Sequence, residues 1–359
     1  MKNLPNLTAI RFFLATLVVI FHIPQFCRHL EFPFYNALPI FDKGLEAVYM
    51  FFSLSGFLII KLLYIEKEKT NTVKLKDFFL RRILRIFPLY YLVLTFGFIY
   101  YHIIVPFMGF KDSMDYDLPT AIALSVTFFP NILHAYNPGS VLQVLWSIGI
   151  EEQFYLFIAP LIFLLPVKRI VLFLVIFTTA YFALYHSEYF VDFHKYQMYF
   201  YYFSFSGLCG IFLSKKAFSD IIYKLRIPIL IVFLLQFTTD IFIDFFSTMG
   251  SYHLFSMILF GLSICALVSK PIAFLENKNM VYLGKISYGI YMFHMIVIQV
   301  IGFVYLKFIS KMNLPEITSI LFLNLSVIIG TIIISHFSYK YYETYFLNLK
   351  QKFRAKQNK

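Results

Sequence analysis

Residues 7–26 read LTAIRFFLATLVVIFHIPQF. The run is almost wholly apolar and about 20 residues long, the length an α-helix needs to cross the hydrocarbon core of a bilayer. It nevertheless carries two ionisable residues, Arg11 and His22. Eleven positions at about 100° each fall about 20° from a whole number of turns. Both side chains therefore share one helix face, about 16 Å apart along the axis. A charge inside a span is costly and usually faces a cavity or a partner. The plain alternative is that Arg11 snorkels to the inner headgroups and His22 is an interfacial polar residue.

The rest of the chain repeats this kind of segment. Of its 359 residues, 60% are hydrophobic, 21% aromatic and 14% charged. A soluble domain has about a quarter charged residues. The composition excludes a disordered protein, a secreted disulfide scaffold and an ordinary soluble enzyme. The apolar runs are continuous, which argues against an outer-membrane barrel with alternating strands. Ten spans are expected near 7–25, 44–64, 86–106, 147–166, 169–187, 196–214, 227–246, 251–269, 282–306 and 317–340. The expected fold is all-α: a polytopic membrane domain of about ten transmembrane helices over 1–345, then a basic cytoplasmic tail over 346–359. Between the third and fourth spans, 120–129 is apolar but too short to cross, and Pro130, Asn131, Asn137, Pro138 and Gly139 break it. It is expected to be interfacial or re-entrant. The first helix has no small-x-small cleavage site after it and is expected to remain as a span. Cys27, Cys209 and Cys265 lack metal-ligand spacing, so neither a metal site nor a disulfide is expected.

Charge tests the topology independently. The net charge is +12, from 31 Lys and Arg against 19 Asp and Glu. With the N-terminus inside, 24 of the 31 fall in cytoplasmic segments and six outside, Arg11 being the remaining one. Short cytoplasmic loops carry such an excess, so the chain is expected N-in and C-in. An eleventh span at 120–133 would put the Lys215–Arg226 cluster outside. The loops account for the basic excess, so membrane lipids rather than nucleic acid are the expected partners.

Further motifs carry polar residues. SLSG at 53–56 places small residues in mid-span, where they let helices approach. RRILRIFPLYYL at 81–92 sets Arg81, Arg82 and Arg85 at the inner end of the third helix. Guanidinium forks match phosphate oxygens, whether of lipid headgroups or of a phosphorylated cofactor. LWSIGIEEQFYLF at 145–157 brings Trp146, Ser147, Glu151 and Glu152 to what reads as the outer end of the fourth span. LGKISYGIYMFH at 283–294 adds Tyr288 and His294 near mid-membrane. Asp240 and Asp244 read as one face of the seventh span, and Glu343 follows the tenth.

Taken together and in this order, Arg11 with His22, FFSLSGFLI, RRILRIFPLYYL, LWSIGIEEQFYLF and LGKISYGIYMFH resemble the membrane acyltransferase-3 family. The resemblance covers roughly 7–170 and 280–345. GLEAVYMFF departs from the family's pattern at Glu46, Ala47 and Tyr49. The resemblance implies an O-acyltransferase of the bacterial cytoplasmic membrane. Its expected donor is acyl-CoA, acetyl-CoA above all, and its acceptor a hydroxyl of an envelope glycan or lipid-linked glycan. It implies that His22, Arg11, Glu151 and Glu152 are catalytic and that Arg11, Arg81, Arg82 and Arg85 bind the donor. Trp146, Ser147, Tyr288 and His294 would contact substrate. No esterase-like soluble domain is expected after the spans, unlike in longer members. Histidine suits proton abstraction from a hydroxyl near neutral pH; covalent carriage of the acyl group is the other route. A transporter or flippase would also have many spans, but with inverted repeats. A non-catalytic export subunit would leave Arg11, His22 and the arginine cluster unexplained. The oligomeric state is not legible.

The topology makes a direct prediction. In Thr70→Cys and Asp115→Cys variants, an impermeant thiol reagent should reach position 70 from the cytoplasmic side only and position 115 from outside only. Labelling of position 115 from the cytoplasm refutes the ten-span arrangement.

Overall fold

Asn6, just ahead of the first helix, adopts a left-handed conformation (φ 66°) and ties that helix to a distant part of the chain. Its side-chain amide donates to the carbonyls of Leu267 (2.6 Å) and Lys270 (2.9 Å), and its Oδ1 accepts from the Ile272 amide at 2.9 Å. In the computed structural model, residues 4–109, 116–312 and 314–350 are described. Lys2, Lys111, position 115 and the tail beyond 350 lie outside the described residues.

The helices run in order as α1 Leu7–His29, α2 Gly44–Thr70, α3 Leu75–Ile99, α4 Leu118–Val126, α5 Pro130–His134, α6 Trp146–Leu164, α7 Val167–Tyr185 and α8 Phe200–Phe212. Then come α9 Lys216–Lys224, α10 Arg226–Thr238, α11 Met249–Ser269, α12 Lys278–Lys285, α13 Ser287–Val304, α14 Glu316–Ser338 and α15 Thr344–Lys350. No strand occurs among the described residues. Eight helical segments are long and apolar enough to cross a bilayer, and the bent pair α9–α10 makes a ninth. The protein is a multi-pass membrane protein.

The ten expected spans all correspond to helical segments, with two departures. The sixth, α8, has only 13 residues, a rise of about 20 Å, which is short of the hydrocarbon thickness. Eleven of its residues are buried, packed by α2, α7 and α11. Backbone that continues beyond a short helix is tolerated at membrane depth where protein covers it, so α8 can carry the chain across despite its length. The seventh is broken into α9 and α10, bent by 64°, and α10 stops at Thr238. Asp240 and Asp244 therefore lie beyond the span rather than on a buried helix face. Asp240 pairs with Lys43 at 2.6 Å, and Asp244 is exposed. In the connection after α3, Asp117 caps α4, accepting from the Thr120 amide (3.0 Å) and hydroxyl (2.7 Å). These bonds hold its pKa below the usual carboxylate range.

Small residues set the closest helix approaches. A Cβ on Gly56 would lie 2.1 Å from the Phe203 carbonyl oxygen, and one on Gly207 would lie 2.2 Å from Ile60. The α2–α8 contact thus requires glycine, as the packing reading of SLSG expects. A Cβ on Gly284 would lie 1.8 Å from the Thr8 carbonyl, so α12 presses on the start of α1. With α2 and α13 on its other sides, α1 is clamped along its length. Three π-helical turns extend α3, α13 and α14, at Tyr100–Ile104, Tyr305–Ile309 and Tyr339–Glu343. Such turns are rare and concentrate at functional sites.

Gly56→Val should therefore fail to pack against α8. Overpacking against backbone costs at least about 1–3 kcal/mol, and a clear drop in the unfolding temperature of the detergent-purified protein is expected. An unchanged temperature would contradict the α2–α8 register.

Candidate active site

At the end opposite the basic loops, the helices enclose a cavity of about 760 Å³. Its walls come from α1, the start of α2, the π-turn after α3, the loop around Asn137 and α13. His22 lines it, as do Trp146 and Tyr291. Trp146 is buried, with Phe52 edge-on at 5.8 Å and His134 at 5.9 Å. It is a wall of the cavity, not a member of an interfacial aromatic belt. The Ser147 hydroxyl bonds to Tyr291 at 2.7 Å, and Tyr291 donates to the Val144 carbonyl at 2.9 Å. Ser147 thus holds a wall residue. It does not line the cavity itself.

His22 has a defined tautomer. Its Nδ1 lies 2.8 Å from the Val18 carbonyl oxygen, which can only accept, so Nδ1 carries the proton. Nε2 is left with its lone pair. His294 repeats the arrangement: Nδ1 meets the Tyr291 carbonyl at 2.5 Å, and Nε2 is buried with no hydrogen-bond partner. The two imidazoles are 5.0 Å apart between ring centroids. His294 is fully buried and is not part of the cavity wall. Its place is beside His22, not the substrate contact expected from sequence.

Toward the basic end lies a charged cluster. The Ser55 and Tyr155 hydroxyls both donate to Oε1 of Glu151 and touch each other. Glu151 is within electrostatic range of Arg11 and Arg85. The Arg82 guanidinium stands over the Tyr155 ring at 5.4 Å. Arg81 instead faces Glu66 and Asp77. Glu152 is buried, with Oε1 unpartnered. Tyr288 donates to the Ile86 carbonyl at 2.9 Å and lies within range of Glu343, which the π-turn after α14 brings in. Among the described residues the one ion pair within 4 Å is Lys43–Asp240, so Arg11, Arg82 and Arg85 form none. They remain half-buried, with donors open to an anion.

The structure thus groups Arg11, Arg82, Arg85, Glu151 and Tyr288 between mid-depth and the basic end, and places His22 and Trp146 at the cavity on the other side. It corrects two expectations. The crossing segment that contains α6 begins at Ser140, so Glu151 and Glu152 sit at mid-depth rather than at the outer end. Neither glutamate bonds to His22, whose orienting partner is the Val18 carbonyl of its own helix. Tyr155, one turn after Glu151, and Ser55, which the sequence marks only as a small packing residue, complete the cluster; the cavity amides follow no sequence pattern.

Comparison with known proteins agrees with the geometry. A family model described as an acyltransferase domain matches residues 4–336, and the chain belongs to this family, acyltransferase-3. A protein of Acidianus two-tailed virus named as an acetyltransferase is 29% identical over 283 residues, 74% of this chain and 77% of the relative. A peptidoglycan O-acetyltransferase of Listeria monocytogenes is 34% identical over 119 residues, 32% of this chain and 19% of its own. A Staphylococcus aureus protein named as an O-acetyltransferase is 26% identical over 394 positions, 96% of this chain and 58% of its own. The chain thus spans just over half the length of the staphylococcal relative and about a fifth of the listerial one. No solved structure matches.

The cluster separates charge from hydrogen bonding at Glu151. Glu151→Gln keeps an acceptor for Ser55 and Tyr155 and should fold with near-normal stability, while losing activity because Arg11 and Arg85 lose their counter-charge. Glu151→Ala leaves the two hydroxyls only each other, stranding one donor at about 1–3 kcal/mol, and should also lower the unfolding temperature. Equal unfolding temperatures for the two variants would contradict the contacts.

Proposed function

We propose that this acyltransferase moves an acetyl group from acetyl-CoA, held at the basic end, to a hydroxyl of an envelope glycan or lipid-linked glycan in the cavity. The membrane would be the bacterial cytoplasmic membrane. One observation carries the reading: His22 presents an Nε2 lone pair to the cavity from the same helix face that bears Arg11, about 16 Å nearer the basic end. A long anionic donor matches that separation. Open guanidinium donors of Arg11, Arg82 and Arg85 fit its phosphates, which planar forks bind bidentately. The names of the relatives support acetyl as the group transferred.

The chemistry follows from the tautomer. The donor supplies an acyl carbon activated as a thioester. His22 Nε2 takes the proton as the acceptor oxygen bonds to that carbon and the C–S bond breaks. It then returns the proton to the departing thiolate. While protonated, His22 is stabilised by the Val18 carbonyl at Nδ1.

Transfer from labelled acetyl-CoA by the purified protein tests the assignment. His22→Ala and His22→Gln should both lose about 10²–10⁴-fold in rate while still binding acetyl-CoA, because an amide does not accept a proton at neutral pH. Near-normal transfer by His22→Gln refutes the base. Arg85→Ala should weaken acetyl-CoA binding about 10–150-fold, the loss of a charge-assisted contact worth roughly 1.5–3 kcal/mol. The difference should shrink in high salt. Unchanged binding returns Arg85 to a lipid-headgroup or structural role.

A further inference from the structure

The described cavity wall carries histidines but no strongly acidic or basic side chain. Among the described residues that line it there is no Lys, Arg, Asp or Glu. His22, His29 and His134 are the imidazoles on this wall; burial lowers the pKa of His134, and His22 Nδ1 donates to the Val18 carbonyl. What replaces charge is carboxamide: Gln25, Asn137, Gln143, Gln197 and Gln299 all line the cavity. A carboxamide carries both donors and an acceptor, the complement of sugar hydroxyls, although Gln299 already bonds Tyr100 and Ser140. Trp146 and Tyr291 add aromatic surface. A carboxylate or phosphate on an entering sugar would lose hydration here without gaining a cation, which is costly.

Two of these amides sit on unusual backbone. Gln197 has φ 55° and Asn137 φ 48°, in the left-handed region that side chains other than glycine and asparagine seldom occupy. A chain of partly buried hydrogen bonds supports the turn before Gln197. Gln153 donates to the Phe128 carbonyl (2.8 Å) and to Asn131 Oδ1 (2.7 Å), and Asn131 donates to the Tyr196 carbonyl (3.1 Å). Gln197 Oε1 itself is buried with no partner. Glycine would suit this backbone better, yet Gln197 places a side chain on the cavity wall here.

Resting on the function proposed above, we infer that the acceptor is an uncharged sugar residue of the glycan and that Gln197 is a specificity-determining contact to it, with Asn137 on the same wall. The test uses purified protein with labelled acetyl-CoA and, as acceptor, envelope glycan isolated from host cells lacking the gene. The product is digested and the acetyl position located by mass spectrometry. Acetyl is expected on residues bearing neither carboxylate nor phosphate. Gln197→Gly should raise the acceptor KM about tenfold, the loss of one hydrogen bond to substrate, leave the acetyl-CoA KM unchanged and keep or raise the unfolding temperature. Acetyl on an anionic residue, or an unchanged acceptor KM in Gln197→Gly, overturns the inference while leaving glycan acetylation standing. Transfer of acetyl to no glycan at all refutes the function on which it rests.

Discussion

A guanidinium and an imidazole on one face of one membrane helix are the constraint around which the molecule is organised. Neither can be left against lipid at low cost, so every neighbouring helix must cover or complement them. The clamp on α1 serves this requirement. Asn6 ties its start to the α11–α12 connection, Gly284 lets α12 approach to backbone contact, and α13 places His294 against His22. A helix free to rotate would carry Arg11 and His22 away from their surroundings together.

The two ends differ in chemistry. The basic end combines Arg11, Arg82 and Arg85 with a carboxylate already occupied by two hydroxyls. The other end has a cavity walled by amides, aromatics and histidines. The proposed reaction needs both environments: an anion-binding end for the donor and a polar end without strongly acidic or basic side chains for the acceptor. Glu151 serves the first. Its bond to Ser55 joins α6 to α2, Arg82 of α3 stands over the Tyr155 ring beside it, and its charge offsets part of the arginine repulsion. The three π-helical turns fall at these same places, two beside the cavity and one carrying Glu343 toward Arg85.

Much of this was legible in the sequence, for identifiable reasons. Continuous apolar runs and the distribution of Lys and Arg are set by the bilayer, so span positions could be read directly. The shared face of Arg11 and His22 follows from helical periodicity alone. The ordered motifs carried the family, which the match over residues 4–336 shows. What could not be read depends on contacts between distant segments. Glu151 sits at mid-depth because the crossing helix begins at Ser140, a boundary hidden by the breaks before Trp146. His22 meets His294, 272 positions away, and not the glutamates, because α13 rather than α6 packs on that face of α1. The break after Thr238, which removes Asp240 from its span, comes with a specific partner, Lys43. The amides around the cavity are scattered from Gln25 to Gln299, so no local pattern marks them.

The central claim is that donor and acceptor are bound at opposite ends of the protein. Reconstitution into sealed proteoliposomes of one orientation tests it most directly, with labelled acetyl-CoA supplied only on the side of the basic loops and glycan acceptor only on the other. The account predicts transfer to the glycan with both substrates separated by the intact bilayer, and none when acetyl-CoA is moved to the cavity side. Transfer that requires both substrates on the same side would contradict it.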